Sequence, residues 1–314
     1  MPGSNLCFLT VSSIVATFTL IVLGGVVRVT ESGLGCPDWP LCNGKLIPQF
    51  EFHVLIEYSH RLMASLVAIL VLIQAGVLWW RYSDVKRIVI PGILSVVFLV
   101  IQVILGGITV LKELPPNIVT VHLGVSQVIF ALLLAILILG WVKSQQERSG
   151  IAGVGTDSSV ALCAWTVLAA LGIYVVTLSG SFMVGSNAGF ACSTWPLCNG
   201  GFFPEGNLAW IHMGHRWIVG IVGLLVLWCA FLSWRERTNA PIIRRVGVLV
   251  AILLIVQILV GAGNVWTGLQ PILRVLHLAL ATGLWGGLVV LGLLVYQNKL
   301  KASFQGSVIS ETLE

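Results

Sequence analysis

Charge is what this sequence has least of. Only 9% of its 314 residues are Asp, Glu, Lys or Arg, while 57% are hydrophobic. A soluble domain carries about a quarter charged residues, so a water-facing globule is excluded. No basic run is interleaved with aromatic residues, and no nucleic-acid surface is expected. The formal net charge of +5 is small, so the placement of the charges carries more meaning than their sum.

What is abundant is long apolar sequence. Eight runs stand out, at 7–28, 56–80, 88–111, 117–142, 160–184, 210–234, 242–266 and 272–297. Each is long enough to cross a bilayer as a helix, which takes about 20 residues. The expected fold is an all-α membrane protein of eight transmembrane helices. The first run has no Lys or Arg before it and no small-residue cleavage site after it, so it reads as a retained helix rather than a signal peptide. Arg81, Lys86, Arg87, Lys143, Arg148, Arg235, Arg237, Arg244, Arg245, Lys299 and Lys301 fall in one set of connections and the tail. The opposite set holds Lys45 and Lys112, with Arg28 and Arg274 at helix edges. The excess of basic residues on the inner side places both termini in the cytoplasm and the loops 29–55 and 185–209 outside.

An internal repeat organises the chain. Gly33, Cys36, Trp39, Pro40, Leu41, Cys42, Asn43, Gly44 and Pro48 recur 156 residues later, as Gly189 through Pro204. Ile56, His60, Arg61, Gln102, Gly106 and His122 recur 155 residues later, as Ile211, His215, Arg216, Gln257, Gly261 and His277. Four helices per unit is an even number, so the two tandem bundles share one orientation as a parallel repeat. The expected division is 1–145, a cytoplasmic linker at 146–158, and 159–314.

Four of the six histidines are repeat-matched. His60 and His122 lie about one turn into the second and fourth helices, as do His215 and His277 in the sixth and eighth. Two imidazoles at matched depth across a four-helix unit suit a six-coordinate haem. Zinc fits less well, because no Cys, Asp or Glu at helical spacing completes a tetrahedral set. Met63 and Met213 are alternative axial ligands, although packing explains them more simply. Glu57 lies three residues before His60, on the same helix face, and its repeat partner is His212. The halves thus differ at the position nearest the ligand where acid–base chemistry can act, which suggests that one half catalyses while the other holds a permanent cofactor. A carboxylate snorkelling to water is the plainer alternative.

Arg61 and Arg216 follow the first histidine of each pair, and Arg274 precedes His277 by a turn. Bidentate binding of haem propionates and ordinary interfacial anchoring both suit them. Cys36 with Cys42 and Cys192 with Cys198 are expected to form short disulfides in the outer loops, with redox activity as the alternative. Cys7, Cys163 and Cys229 read as packing residues, and Gly283 with Gly287 suggests a close helix approach.

The run Gly33-Leu-Gly-Cys-Pro-Asp-Trp-Pro-Leu-Cys42, the segment Glu57-Tyr-Ser-His-Arg61 and the second His-Arg at 215–216 resemble the haem A synthase family, specifically its bacterial members with two cysteine pairs. The resemblance covers nearly the whole chain. It implies an oxidoreductase acting on a CH group, which converts the C8 methyl of haem O to a formyl group by successive hydroxylation, giving haem A for cytochrome oxidase. It further implies a haem b cofactor between His215 and His277, substrate haem O between His60 and His122, and a catalytic Glu57. The partners it implies are haem O, the haem O synthase farnesyltransferase, an electron acceptor and the lipid bilayer of the cell membrane; homo-oligomers are left open. The competing reading is a di-haem b-type electron-transfer cytochrome without substrate oxidation, and a third is a haem carrier. Neither explains an acid at 57 opposite His212.

Overall fold

Hydrocarbon offers the backbone no water, so an apolar run that enters it must satisfy its own N–H and C=O groups by forming a helix. The computed structural model describes residues 4–149, 160–235 and 241–311, and there the apolar runs are helical. They form α1 (Ser4–Val29), α2 (Phe52–Arg81), α3 (Lys86–Leu111), α4 (Pro116–Ser149), α5 (Val160–Gly185), α6 (Asn207–Arg235), α7 (Pro241–Trp266) and α8 (Pro271–Glu311). All eight are long and apolar enough to cross a membrane. Proline opens α4, α7 and α8, at the position where its missing N–H would have no helical partner anyway. Within the expected linker 146–158, residues up to 149 continue α4 and the others lie outside the described residues.

Helices α1 to α4 pack in a ring, each against the next and α4 back against α1; α5 to α8 form a second ring in the same way. The rings meet through α4 with α5, α1 with α8, and α4 with α8. Apolar side chains fill both. Val67, Val71, Leu78, Leu99 and Leu133 are buried in the first ring. A larger core runs from Ile21 and Phe130 across the boundary to Val226, Leu254 and Leu288. The outer faces are equally apolar: Leu66, Ile69 and Ile73 on α2, and Ile252, Ile255 and Leu259 on α7, are about half exposed. Their spacing puts each trio on one stripe of its helix, facing lipid.

The boundary between the rings is sealed by polar contacts as well. Gln127 Nε2 donates to Thr282 Oγ1 at 2.9 Å, and Trp285 Nε1 donates to the Gln127 carbonyl at 3.0 Å. Gln127 and Thr282 are themselves 155 residues apart, so repeat-equivalent positions touch each other. The glycines of α8 divide differently from the expected Gly283–Gly287 pairing. A Cβ on Gly287 would lie 3.1 Å from Val250 of α7, whereas one on Gly283 would meet nothing. The tight crossing onto α4 runs through Gly286, where a Cβ would come within 2.9 Å of the Phe130 ring.

Candidate functional site: two histidine pairs under cysteine loops

Each of the four repeat-matched histidines lies against a glycine of the neighbouring helix. A Cβ on Gly24 of α1 would sit 3.2 Å from His60 Cε1, and one on Gly106 of α3 would sit 3.3 Å from His122 Cε1. In the second ring the corresponding distances are 3.1 Å from Gly180 of α5 to His215 and 3.0 Å from Gly261 of α7 to His277. A Cβ at these distances would be tighter than ordinary side-chain contact, so glycine is what lets each imidazole approach the neighbouring helix this closely. The imidazoles of each pair are also within Coulombic reach of each other. His122 Nε2 lies 3.2 Å from the Gln102 amide nitrogen, and His277 Nε2 lies 3.3 Å from that of Gln257. The Nδ1 atoms of His60, His122 and His277 are buried without a hydrogen-bond partner among the described residues. His215 Nδ1 has one, Ser179 Oγ, at 2.8 Å.

Above each pair lies a cysteine loop. Cys36–Cys42 and Cys192–Cys198 are both within disulfide geometry, with Cα atoms 4.7 Å apart. All four cysteines are buried, so the loops shield these sulfurs from solvent. Val54 and Tyr58 pack on the first pair, and Ala209, Met213 and Trp217 on the second. Met213 is therefore a packing residue beside the disulfide. In the first loop Asp38 accepts from the backbone amides of Asn43 and Gly44. Those amides, Gly44 foremost, hold the Asp38 carboxyl below its ordinary value of 3.8, with Arg61 helping. Thr194 replaces Asp38 in the second loop and receives the Gly200 amide at 3.2 Å. Trp39 lies over Gly107 of α3, where a Cβ would be 3.2 Å from the indole, and Trp195 meets Trp266 of α7 edge-on.

Arg61 fastens the first loop to α2. Its Nη1 donates to the carbonyls of Asp38 at 2.8 Å and Leu41 at 2.7 Å. Its Nη2 donates to the carbonyl of Cys36 at 2.7 Å and to Glu57 Oε1 at 2.6 Å. Four Nη protons meet four acceptors, so a haem propionate finds only Nε–H still unassigned. Arg216 repeats the clamp, donating to the carbonyls of Thr194, Pro196 and Leu197 and to His212 Nε2. Arg274 lies near Arg28 and Glu31, at the boundary between the rings.

Glu57 is 3% exposed. Its Oε2 accepts from the Cys36 amide at 2.8 Å and its Oε1 from Arg61, so it is paired at both oxygens. His212 fills the equivalent place differently: Nδ1 meets the Ala188 carbonyl and Nε2 meets Arg216, each at 3.0 Å. A carbonyl only accepts and a guanidinium only donates, so His212 is the neutral Nδ1–H tautomer. One loop is thus fastened through an anion and the other through a neutral ring.

Sequence reasoning located the four histidines, Glu57, both arginines and both cysteine pairs. It did not assign the histidine-facing glycines or Ser179. The offset of 156 that pairs the two cysteine loops also pairs Gly24 with Gly180, a signal hidden by the many other glycines in apolar helices.

Comparison with known proteins identifies the family of the chain. The profile of the COX15-CtaA family, described as cytochrome oxidase assembly protein, matches residues 7–51 and 47–289. A protein of Lysinibacillus sphaericus (strain C3-41) named heme A synthase is 30% identical over 295 residues, spanning 90% of this chain and 94% of the relative. Proteins of the same name from Geobacillus thermodenitrificans and Bacillus cereus (strain AH187) are 28% and 30% identical, over 95% and 93% of this chain and 94% of each relative. With the profile matching most of its length, the chain belongs to the COX15-CtaA family of cytochrome oxidase assembly proteins.

Proposed function

We propose that this membrane protein acts as a haem A synthase: it takes haem O as substrate and oxidises the C8 methyl to a formyl group by successive hydroxylation, through the alcohol. The observation that carries the reading is the pair of imidazoles in each helix ring, every one laid against a glycine beneath a cysteine loop. The relatives named heme A synthase support it over a di-haem electron-transfer cytochrome.

The residues suit a haem in each ring. Imidazole is a haem ligand, and the glycines let each imidazole lie close against the neighbouring helix. His215 and His277 are assigned to a resident haem b, which when bound supplies one-electron transfer. His60 and His122 are assigned to substrate haem O. The Nε2 atoms of His122 and His277 face glutamine amides, so ligation through those atoms requires the amide to withdraw.

Glu57 is assigned the catalytic role in the first ring, accepting a proton near the reacting carbon. Arg61 balances its charge and keeps the carboxylate aimed, while His212, being neutral, leaves the second ring without a comparable base. Arg61 and Arg216 hold the loops closed over the pockets, and the buried disulfides stiffen those loops. The farnesyl tail of haem O lies along the lipid-facing surface, so substrate enters and leaves within the bilayer. The excess of basic residues on one side supports cytoplasmic termini and outward cysteine loops in the cell membrane. An electron acceptor and the farnesyltransferase that makes haem O are the proposed partners.

The test is haem extraction from cells expressing the protein, with and without a source of haem O. The reading expects hydroxylated and formyl products only when haem O is supplied. Recovery of haem b alone in both conditions overturns it.

A further inference from the structure

Ser179 precedes Gly180 on α5, so a hydroxyl and a glycine flank one imidazole. Ser179 Oγ lies 2.8 Å from His215 Nδ1 and 2.8 Å from the Val176 carbonyl. A carbonyl only accepts and serine has one proton to give. Both contacts are satisfied when Ser179 donates to Val176 and accepts from His215 Nδ1–H. This fixes the tautomer and leaves the His215 Nε2 lone pair for a metal. The first ring has no such device. The offset that pairs Gly24 with Gly180 pairs Leu23 with Ser179, and His60 Nδ1 is buried without a partner among the described residues.

We infer that Ser179 is a positioning residue for the haem ligand His215, and that Leu23 at the equivalent place makes the first pocket hold haem more loosely. The inference rests on the proposed division between a resident haem and a substrate haem. A hydrogen bond at Nδ1 fixes the ring's orientation and raises its basicity, which strengthens the metal bond and favours ferric over ferrous iron. A ligand without one binds more weakly and releases its haem sooner, which suits a pocket that must discharge product. The symmetric scaffold thereby gains a second difference between its halves, independent of Glu57 and His212.

The test uses the full-length chain carrying His60→Ala, purified from cells without haem O, so that only His215 and His277 can offer haem b two imidazoles. Removing a partner of this kind weakens metal binding by about 10–100-fold. Ser179→Ala is expected to release haem b to an apo-globin scavenger at least about tenfold faster, and to raise the haem midpoint potential; Ser179→Thr, which keeps a hydroxyl, restores both. Equal behaviour of the Ala and Thr variants, or a release rate and potential unmoved by Ser179→Ala, overturns the inference. If Ser179→Ala fails to fold, Leu23→Ser decides in a full-length chain carrying His215→Ala and made with a source of haem O: slower release of haem O from the first pocket supports the inference and an unchanged rate overturns it. A parent chain that holds no haem b at all overturns the proposed division of the pockets. A haem-loaded parent indifferent to Ser179 overturns the inference alone.

Discussion

At the scale of single residues, the two rings differ most at 57 and 212. Glu57 is buried and paired with the half-buried Arg61, and removing one member leaves the other uncompensated at a cost of up to about 3 kcal/mol. His212 is neutral, so its removal deprives Arg216 of one acceptor and costs about 1–3 kcal/mol. Glu57→Ala is accordingly expected to lose hydroxylated and formyl haem while keeping haem b, and His212→Ala to keep product and lose only modest stability. Haem analysis with thermal unfolding in detergent checks both, and a normal haem A yield from Glu57→Ala removes that residue from the mechanism. Asp38 supplies a pH test. Its pKa is depressed when folded, so its contribution is fully present above the ordinary carboxylate value and disappears as pH falls through the folded one. Exchange of the Asn43 and Gly44 amides is expected to stay slow at neutral pH and to accelerate, relative to Asp38→Asn, only on acidification below that ordinary value. Amide exchange followed across the acid range measures this.

At the scale of elements, each helix pair is defined by a histidine on one member and a glycine on the other. Gly180→Ala places a methyl 3.1 Å from His215, so the ring must shift and haem b retention is expected to fall severalfold. Gly220→Ala on α6 is the control: a Cβ there meets nothing, and the reduced freedom of the unfolded chain is expected to stabilise by about 0.4–1 kcal/mol. Haem content and unfolding temperature of the two variants separate the effects. The helices themselves were legible because lipid exposure writes length and apolarity directly into sequence. The histidine pairs were legible because duplication repeats rare residues. The arginine clamps were not, since a guanidinium in an interfacial helix suits a propionate as well as a loop carbonyl, and only the fold shows Asp38, Leu41 and Cys36 turning their carbonyls toward Arg61. Ser179 escaped for a related reason: mid-helix serines commonly bond back to their own helix, and Ser179 does that as well as meeting His215.

At the scale of the whole molecule, two similar rings share a boundary, and the proposed function divides the labour between them. Gln127 and Thr282 join them at equivalent positions. Thr282→Val is expected to leave the Gln127 amide without its acceptor and to cost about 1–3 kcal/mol, with Gln127→Leu combined with Thr282→Val costing less than the sum of the single changes; thermal unfolding of the four forms measures the coupling. The functional claim concerns the rings themselves, that one holds a resident haem and the other a reacting one. The most direct test is the set of four single His→Ala variants of the full-length chain, made with a source of haem O and assayed together for bound haem b and oxidised product. The account predicts that His60→Ala and His122→Ala keep haem b and make no hydroxylated or formyl haem, whereas His215→Ala and His277→Ala lose haem b. Loss of haem b from the first-ring variants instead, or normal haem A output from either of them, would contradict it.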